Sequence, residues 1–573
     1  MKNIIFIALT LFTTATIVGQ EKAKDTLNTD EIMVIKPYTP TISDAFKIKD
    51  NPQIENENIQ KDSVTYSFFS VPVASTFTPT KGKAQSVVRE SLDKIYENFV
   101  AVGFGNYTTP YLEAFLHSSS TRSNDFGAFV KHQSSNGGIN DILVDDNYSD
   151  SQLNLFYKQF ERDYNWEANL GAQHQIYNWY GLSEGITYDP TFLTTIDPKQ
   201  TYLNIFGGGS FNFEEGIFNG GKLRIDYFSD NYSSSEIQAK ITPEVEFPIS
   251  SELIDLPFDI EFITGSFKQN YLTDAALEYS FLNLGASPSL EILRNKLTVN
   301  LGARVYYSFD LESKQNKFYA YPNVTASYKL IDETLIGYGG VTGDLHQNSY
   351  REFANDNPFI SPTLNILPTD QQYKAFIGAK GKLSSKVGYN FKASYQSEKN
   401  KAMYVQNPSM TDGITNSTFA FQSGNSFGVV YDNVETLSLF AELDIYISKK
   451  FKFGGNIEYN NLTTDIQAKA WYTPTLKASA FANYNSKKWY VGADLYFVGE
   501  QFDLVQNFGD INATVTTLDP YVDLNFNGGY VFTDRLTAFG RVNNVLGINY
   551  DKYTNYKVQG IQVLAGIIYK FDF

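Results

Sequence analysis

The chain has 573 residues, with 46 Lys and Arg against 63 Asp and Glu for a formal net charge of -17, and this acidic balance argues against a nucleic-acid partner, whose phosphates require a basic surface. Cys 0 excludes a disulfide scaffold, a thiolate metal site and a cysteine nucleophile. Aromatic residues make up 16%, with Tyr 40 and Phe 45, a content that suits girdles of rings at two lipid-water interfaces.

The first segment, "KNIIFIALTLFTTATIVGQ" at 2–20, carries one lysine, an apolar run and the small residue Gly19, so 1–19 reads as a secretory signal peptide. No cysteine follows it to take a lipid anchor. Residues 20–97 read as a periplasmic N-terminal segment, partly irregular and rich in Pro, Lys and Asn. Within it, "SVTYSFFSVPVASTFTPTKGKA" predicts one or two short strands. "AQSVVRESLDKIYENFV" predicts a short helix with Val87, Val88, Leu92 and Ile95 inward.

From residue 98 to Phe573 one device repeats. In "ETLSLFAELDIYISKK" Leu437, Leu439, Ala441, Leu443, Ile445 and Ile447 form an apolar row, while Ser438, Glu442, Asp444 and Ser448 form a polar one. After Lys449 and Lys450, "FKFGGNIEYNN" returns with Phe451, Phe453, Ile457 and Tyr459 opposite Lys452, Asn456, Glu458 and Asn460. Strand side chains alternate between faces, so these segments predict a hairpin with matched faces. "WYVGADLYFVGEQ" and "YVDLNFNGGYVFTDRLTAFGRVNNVLG" repeat the pattern and bring Asp494 and Asp523 into the polar row. Short turns at 162–165, 294–296, 384–386 and 533–535 alternate with longer polar stretches at 178–200, 345–371, 399–425 and 502–519.

A mean hydropathy of -0.29 does not conflict with a membrane location, because a barrel alternates lipid-facing and bore-facing side chains. The expected fold is therefore all-β, an antiparallel outer-membrane β-barrel of about 22 strands over 98–573, with the strand pattern weakest across 230–275. Lipid is its first partner. Glu442, Asp444, Glu458, Asp494 and Asp523 are expected to face the bore and to favour cations.

No cofactor, metal or catalytic residue is indicated. His117, His132, His174 and His346 give no spacing that presents two ligands on one strand face. The serines near "FLHSSS" and "VKHQSS" suit a polar rim better than a nucleophile and base. "GFGNY" and "FGGGSF" lack the helix and Lys-Ser/Thr pair of a phosphate loop.

The chain ends on "IQVLAGIIYKFDF". Every second residue from Ile561 is apolar: Val563, Ala565, Ile567, Tyr569, Phe571 and Phe573. Together with Arg541, Val542, Asn543, Asn544, Val545 and Leu546 before a Tyr-rich loop, this ending resembles the last strands of TonB-dependent outer-membrane receptors of Gram-negative bacteria. The resemblance implies that Gly566, Ile567, Tyr569, Phe571 and Phe573 form the closing strand and the signal read by the barrel-assembly machinery. It also makes Asp30, Glu31, Ile32, Met33, Val34 and Ile35 similar to a TonB box, which would pair with TonB as an added strand.

The usual plug domain does not fit the resemblance, since a domain with its own core takes about 100–150 residues and too few separate the box from the barrel. Either the N-terminal segment, inward-folded loops such as 345–371, or a partner must close the bore; the N-terminal segment is the favoured occluder. Two functions follow, solute transport or binding across the outer membrane, and a plugless structural or assembly subunit of a multi-protein complex there.

Overall fold

A computed structural model describes residues 94–121, 123–249, 252–414 and 419–573. The expected signal peptide, the TonB-box-like Asp30 to Ile35 and most of the expected N-terminal segment lie outside the described residues. Of the expected helix ending at Val100, Asn98 to Val100 are instead the start of the first strand, Asn98–Gly105.

The chain forms a closed antiparallel barrel. The first strand pairs with the second, Thr109–Thr121, on one side and with the last, Gln562–Phe571, on the other, so Val102 faces Leu112 and Ile567 at once. The sheet has 23 segments but 22 barrel strands, because Leu277–Ala286 and Ser289–Arg294 run on from each other between the same two neighbours. The break falls at Ser287 and Pro288; proline has no N–H to give the ladder. The weakly patterned stretch 230–275 contains two complete strands, Ser235–Ile249 and Glu252–Phe267.

Alternation sets the two faces. On the last strand Val563, Ile567 and Tyr569 are 46%, 48% and 46% exposed, while the intervening Leu564 and Ile568 pack beside buried Ala101, Tyr111 and Phe539. Gly566 is required there: a Cβ would run into the Phe539 ring and the Val102 carbonyl. Gly171 against Phe206 and Gly265 against Tyr279 repeat this exchange of a side chain for room beside a ring.

At the end where the first strand starts and the last one finishes the connections are tight, as at 295–296, where Asn295 takes φ 43. Lys94 Nζ pairs with Asp572 Oδ2 at 2.8 Å across the seam there. The other, distal end carries the long connections, although 106–108, 231–234 and 311–314 are short distal turns that break the expected alternation. The stretch 399–425 is also partly strand, since Val387–Gln406 continues through a register shift between Glu398 and Lys401. The stretch 502–519 folds as a separate hairpin, Gln501–Val505 with Thr514–Leu518. The described helices, Pro190–Leu193, Tyr350–Asp356 and the 3-10 turn Ala420–Gln422, all lie in distal connections.

Candidate functional site

The loop 347–368 joins strands Leu335–His346 and Thr369–Ser384, yet its helix packs on strands four to seven places away around the barrel. Ser349 opens the helix by accepting from Glu352 N at 3.1 Å. Tyr350, fully buried, sets its ring edge-on to Tyr202, Phe228 and Phe267 at 6.2, 5.2 and 4.9 Å. Those rings belong to the strands Lys199–Phe213, Phe218–Asp230 and Glu252–Phe267, none of which adjoins the strands that the loop connects. The loop therefore folds inward over the bore. Glu236, on the strand Ser235–Ile249, accepts from Tyr350 N at 2.6 Å and Arg351 N at 3.1 Å, which places its carboxyl oxygens at the free N–H groups of the helix start.

Other distal loops complete this cap. Tyr556, from 544–561, stacks on Phe359 at 3.7 Å and 22° and donates its hydroxyl to Asn425 O. Tyr553 OH donates to Asp356 O at 2.9 Å, and Asn425 Nδ2 to Trp179 O at 3.0 Å. Tyr202, Phe228, Ile263, Tyr350, Ile360, Phe427 and Tyr556 belong to one buried cluster that spans strand wall and loops alike.

Asp503, fully buried, ties four segments together. It accepts from Gln406 N at 3.0 Å, Leu504 N at 2.7 Å, Tyr472 OH at 2.5 Å and Thr554 Oγ1 at 2.6 Å. Burial pushes its carboxyl above the ordinary aspartate range, while the Thr554 and Tyr472 hydroxyls pull the other way.

Between the helix and the wall lies a cleft of about 790 Å³, lined among others by Asp344, His346, Glu352, Asp356, Glu398 and Lys401. His346 Nε2 lies 3.2 Å from Glu352 Oε2, Arg304 Nη1 lies 3.0 Å from Asp344 Oδ2, and Lys401 pairs with Glu398. Such a lining binds through directed hydrogen bonds and charge rather than apolar contact. Among the described residues no group of three His, Cys, Asp or Glu side chains is placed to hold a metal ion.

The acidic side chains named from the sequence sit as follows. Asp444 pairs with Lys452 at 3.4 Å, Asp523 accepts from Tyr550 OH at 2.9 Å, and Asp494 accepts from Asn527 Nδ2 at 3.5 Å. Glu442 stands opposite Asn390 and Asn456, and Glu458 opposite Phe440 and Lys477. Lys392 stands on the other side of Phe440, 5.6 Å over its ring, so this face mixes both signs of charge. Expectation from the acidic residues alone missed that mixture, although the lysines occupy the same alternating rows of the sequence.

The terminal group divides. Gly566, Ile567, Tyr569 and Phe571 lie on the closing strand, whereas Phe573 projects beyond it, 84% exposed, its ring 5.4 Å from that of Phe571. His132 Nδ1 does meet a serine, Ser151 Oγ at 2.8 Å, but in register this pair shares the outward row of Leu112, away from the bore.

No family model matches the sequence, and no curated protein does. Solved structures do. The FrpB iron transporter from Neisseria meningitidis (F5-1 variant) aligns with TM-score 0.62 at 10% identity, over 84% of this chain and 83% of that one. The ferripyoverdine receptor of the outer membrane of Pseudomonas aeruginosa, bound to ferripyoverdine, aligns with TM-score 0.59 at 15% identity, over 84% and 73%. The ferric-catecholate import receptor Fiu from K12 E. coli gives 0.58 at 10%, over 83% and 82%. The shared property is the fold. It is that of outer-membrane receptor barrels, and these neighbours are transporters and receptors rather than enzymes.

Proposed function

We propose that the chain is a Gram-negative outer-membrane barrel that binds a solute at its distal cap and passes it through the bore, in the manner of a TonB-dependent receptor. The observation that carries this reading is the packing of the 347–368 loop, with Tyr350 on strands well removed from its own and Phe359 on Tyr556 of another distal loop, because loops packed together over the mouth must move before anything passes. The cleft beside the helix supplies polar contacts for a solute, and the neighbours of like fold carry iron or iron chelates. In this reading the signal peptide 1–19 exports the chain, the barrel-assembly machinery reads Gly566 to Phe573, and Asp30 to Ile35 pair with TonB. Glu442, Asp444, Glu458, Asp494 and Asp523 line the bore.

The test is conductance in planar bilayers. The parent barrel is expected to be nearly silent, and a variant with 350–366 replaced by a Gly-Ser linker to conduct. Equal silence of both proteins would reject a loop gate.

The same cap favours a second reading. Its loops are tied by buried side-chain bonds such as those of Asp503, and such a rigid platform suits a structural subunit that holds partner proteins. Co-purification of stoichiometric partners after mild detergent extraction, with no conductance from either protein above, would select that reading.

A further inference from the structure

A second cleft, of about 520 Å³, lies at the distal tips of strands Thr109–Thr121, Asn124–Ser135, Tyr148–Phe160 and Tyr164–Asn178. Leu153 and Ile205 are 41% and 44% exposed on the outward face, joined through Ala172 in one row with Val130. Two residues further toward the distal end the outward row mixes Leu112, His132, Ser151, His174 and Leu203, and two beyond that it is Ser134, Ser149, Ile176 and Thr201. At about 3.4 Å per residue these rows lie about 7 and 14 Å along the strands beyond the Val130 row, where apolar outward side chains give way to polar ones, as at a bilayer's headgroup level.

The cleft begins at the upper of those rows. Ser134, Ser149 and Ile176 line it, with Asp145, Asn147 and Asp197 of the overhanging loops. Hydroxyls, an amide and carboxylates accept and donate in many directions but offer a phosphate little, since two aspartates face it against one lysine, Lys199. Asn147 Oδ1 is buried without a hydrogen-bond partner, an acceptor that calls for a donor.

We propose that this cleft binds the uncharged sugar headgroup of a membrane glycolipid, whose acyl chains lie along the apolar row of Leu153 and Ile205. Continuity between the polar cleft and the outward apolar rows selects a lipid over a free sugar, because a headgroup held there needs no chain to leave the bilayer. A sugar's hydroxyls fill the unmet Asn147 acceptor and bond Asp145, Asp197 and Ser149 together. Glycolipid binding here rests on the membrane reading of the barrel.

The full chain is reconstituted in nanodiscs of phosphatidylcholine, with and without a diglucosyl diacylglycerol, and ejected lipids are read by native mass spectrometry. Retention of the glycolipid over phosphatidylcholine by about tenfold is expected, and its loss in the paired Asn147→Leu and Ser149→Leu variant. Asp145→Ala, on an exposed loop, should weaken retention without touching the strand wall. Equal retention of the two lipids, undiminished selectivity in both variants, or displacement of the glycolipid by free maltose would overturn the proposal. Failure of the chain to enter nanodiscs at all would sink the membrane reading with it, whereas entry without selectivity would sink only the glycolipid site.

Discussion

Phe359 and Tyr556, almost two hundred residues apart, stack their rings at 3.7 Å and so join two distal loops inside the barrel mouth. Truncating a buried aromatic side chain costs about 3–5 kcal/mol, and here the loss falls on the cap, because the strand ladders do not depend on either ring. Tyr556→Ala should leave a heat-modifiable barrel intact while 350–366 and 544–561 gain rapid hydrogen exchange. Unchanged protection in both loops would mean that the stack does not hold the cap.

Asp503 links cap stability to pH. Its carboxyl is raised by burial above the unfolded value of about 3.9, so the folded cap holds the proton more tightly than the open chain does. The resulting stabilisation is complete below that unfolded value and is lost as pH rises through the folded one. Hydrogen exchange in 501–505 and 544–561 should therefore show at least as much protection at pH 4 as at pH 7 after correction for intrinsic rates. In Asp503→Asn the difference should vanish; a parent cap that loosens on acidification contradicts the sign.

Removal of Tyr569 to Phe573 takes away the outward Tyr569 and the partners of Asn98 to Val100 at the seam. Loss of outer-membrane insertion is expected. Normal amounts of the truncated protein in outer-membrane fractions would count against the closing strand as the insertion signal.

Two deletions separate the means of closing the bore. Replacing 350–366 by a Gly-Ser linker should sensitise cells to large antibiotics, because the helix then no longer reaches Glu236 and the rings around Tyr350. Deleting Glu21 to Gly82 tests the N-terminal segment independently. Sensitivity only after the second deletion would shift the gate from the loops to that segment.

The alternation of Leu437, Leu439 and Leu443 with Ser438, Glu442 and Asp444 was enough to establish strands, their faces and a barrel, since period two is a local property that each hairpin repeats. The terminal row from Val563 to Tyr569 likewise announced the closing strand before its partner was known. The dense charges across 230–275 weakened the pattern there without removing it, since the bore-facing carboxylates of its two strands interrupt no ladder hydrogen bond. What only the tertiary structure decided is the cap. Tyr350, Phe359, Asp503 and Tyr556 lie in stretches without periodicity, and their polar surroundings read as solvent-facing loops. Tyr350, Asp503 and Tyr556 are buried, and Phe359 partly so, by residues more than a hundred positions away or by another loop, and such contacts exist only once the barrel closes and brings its distal connections to one opening.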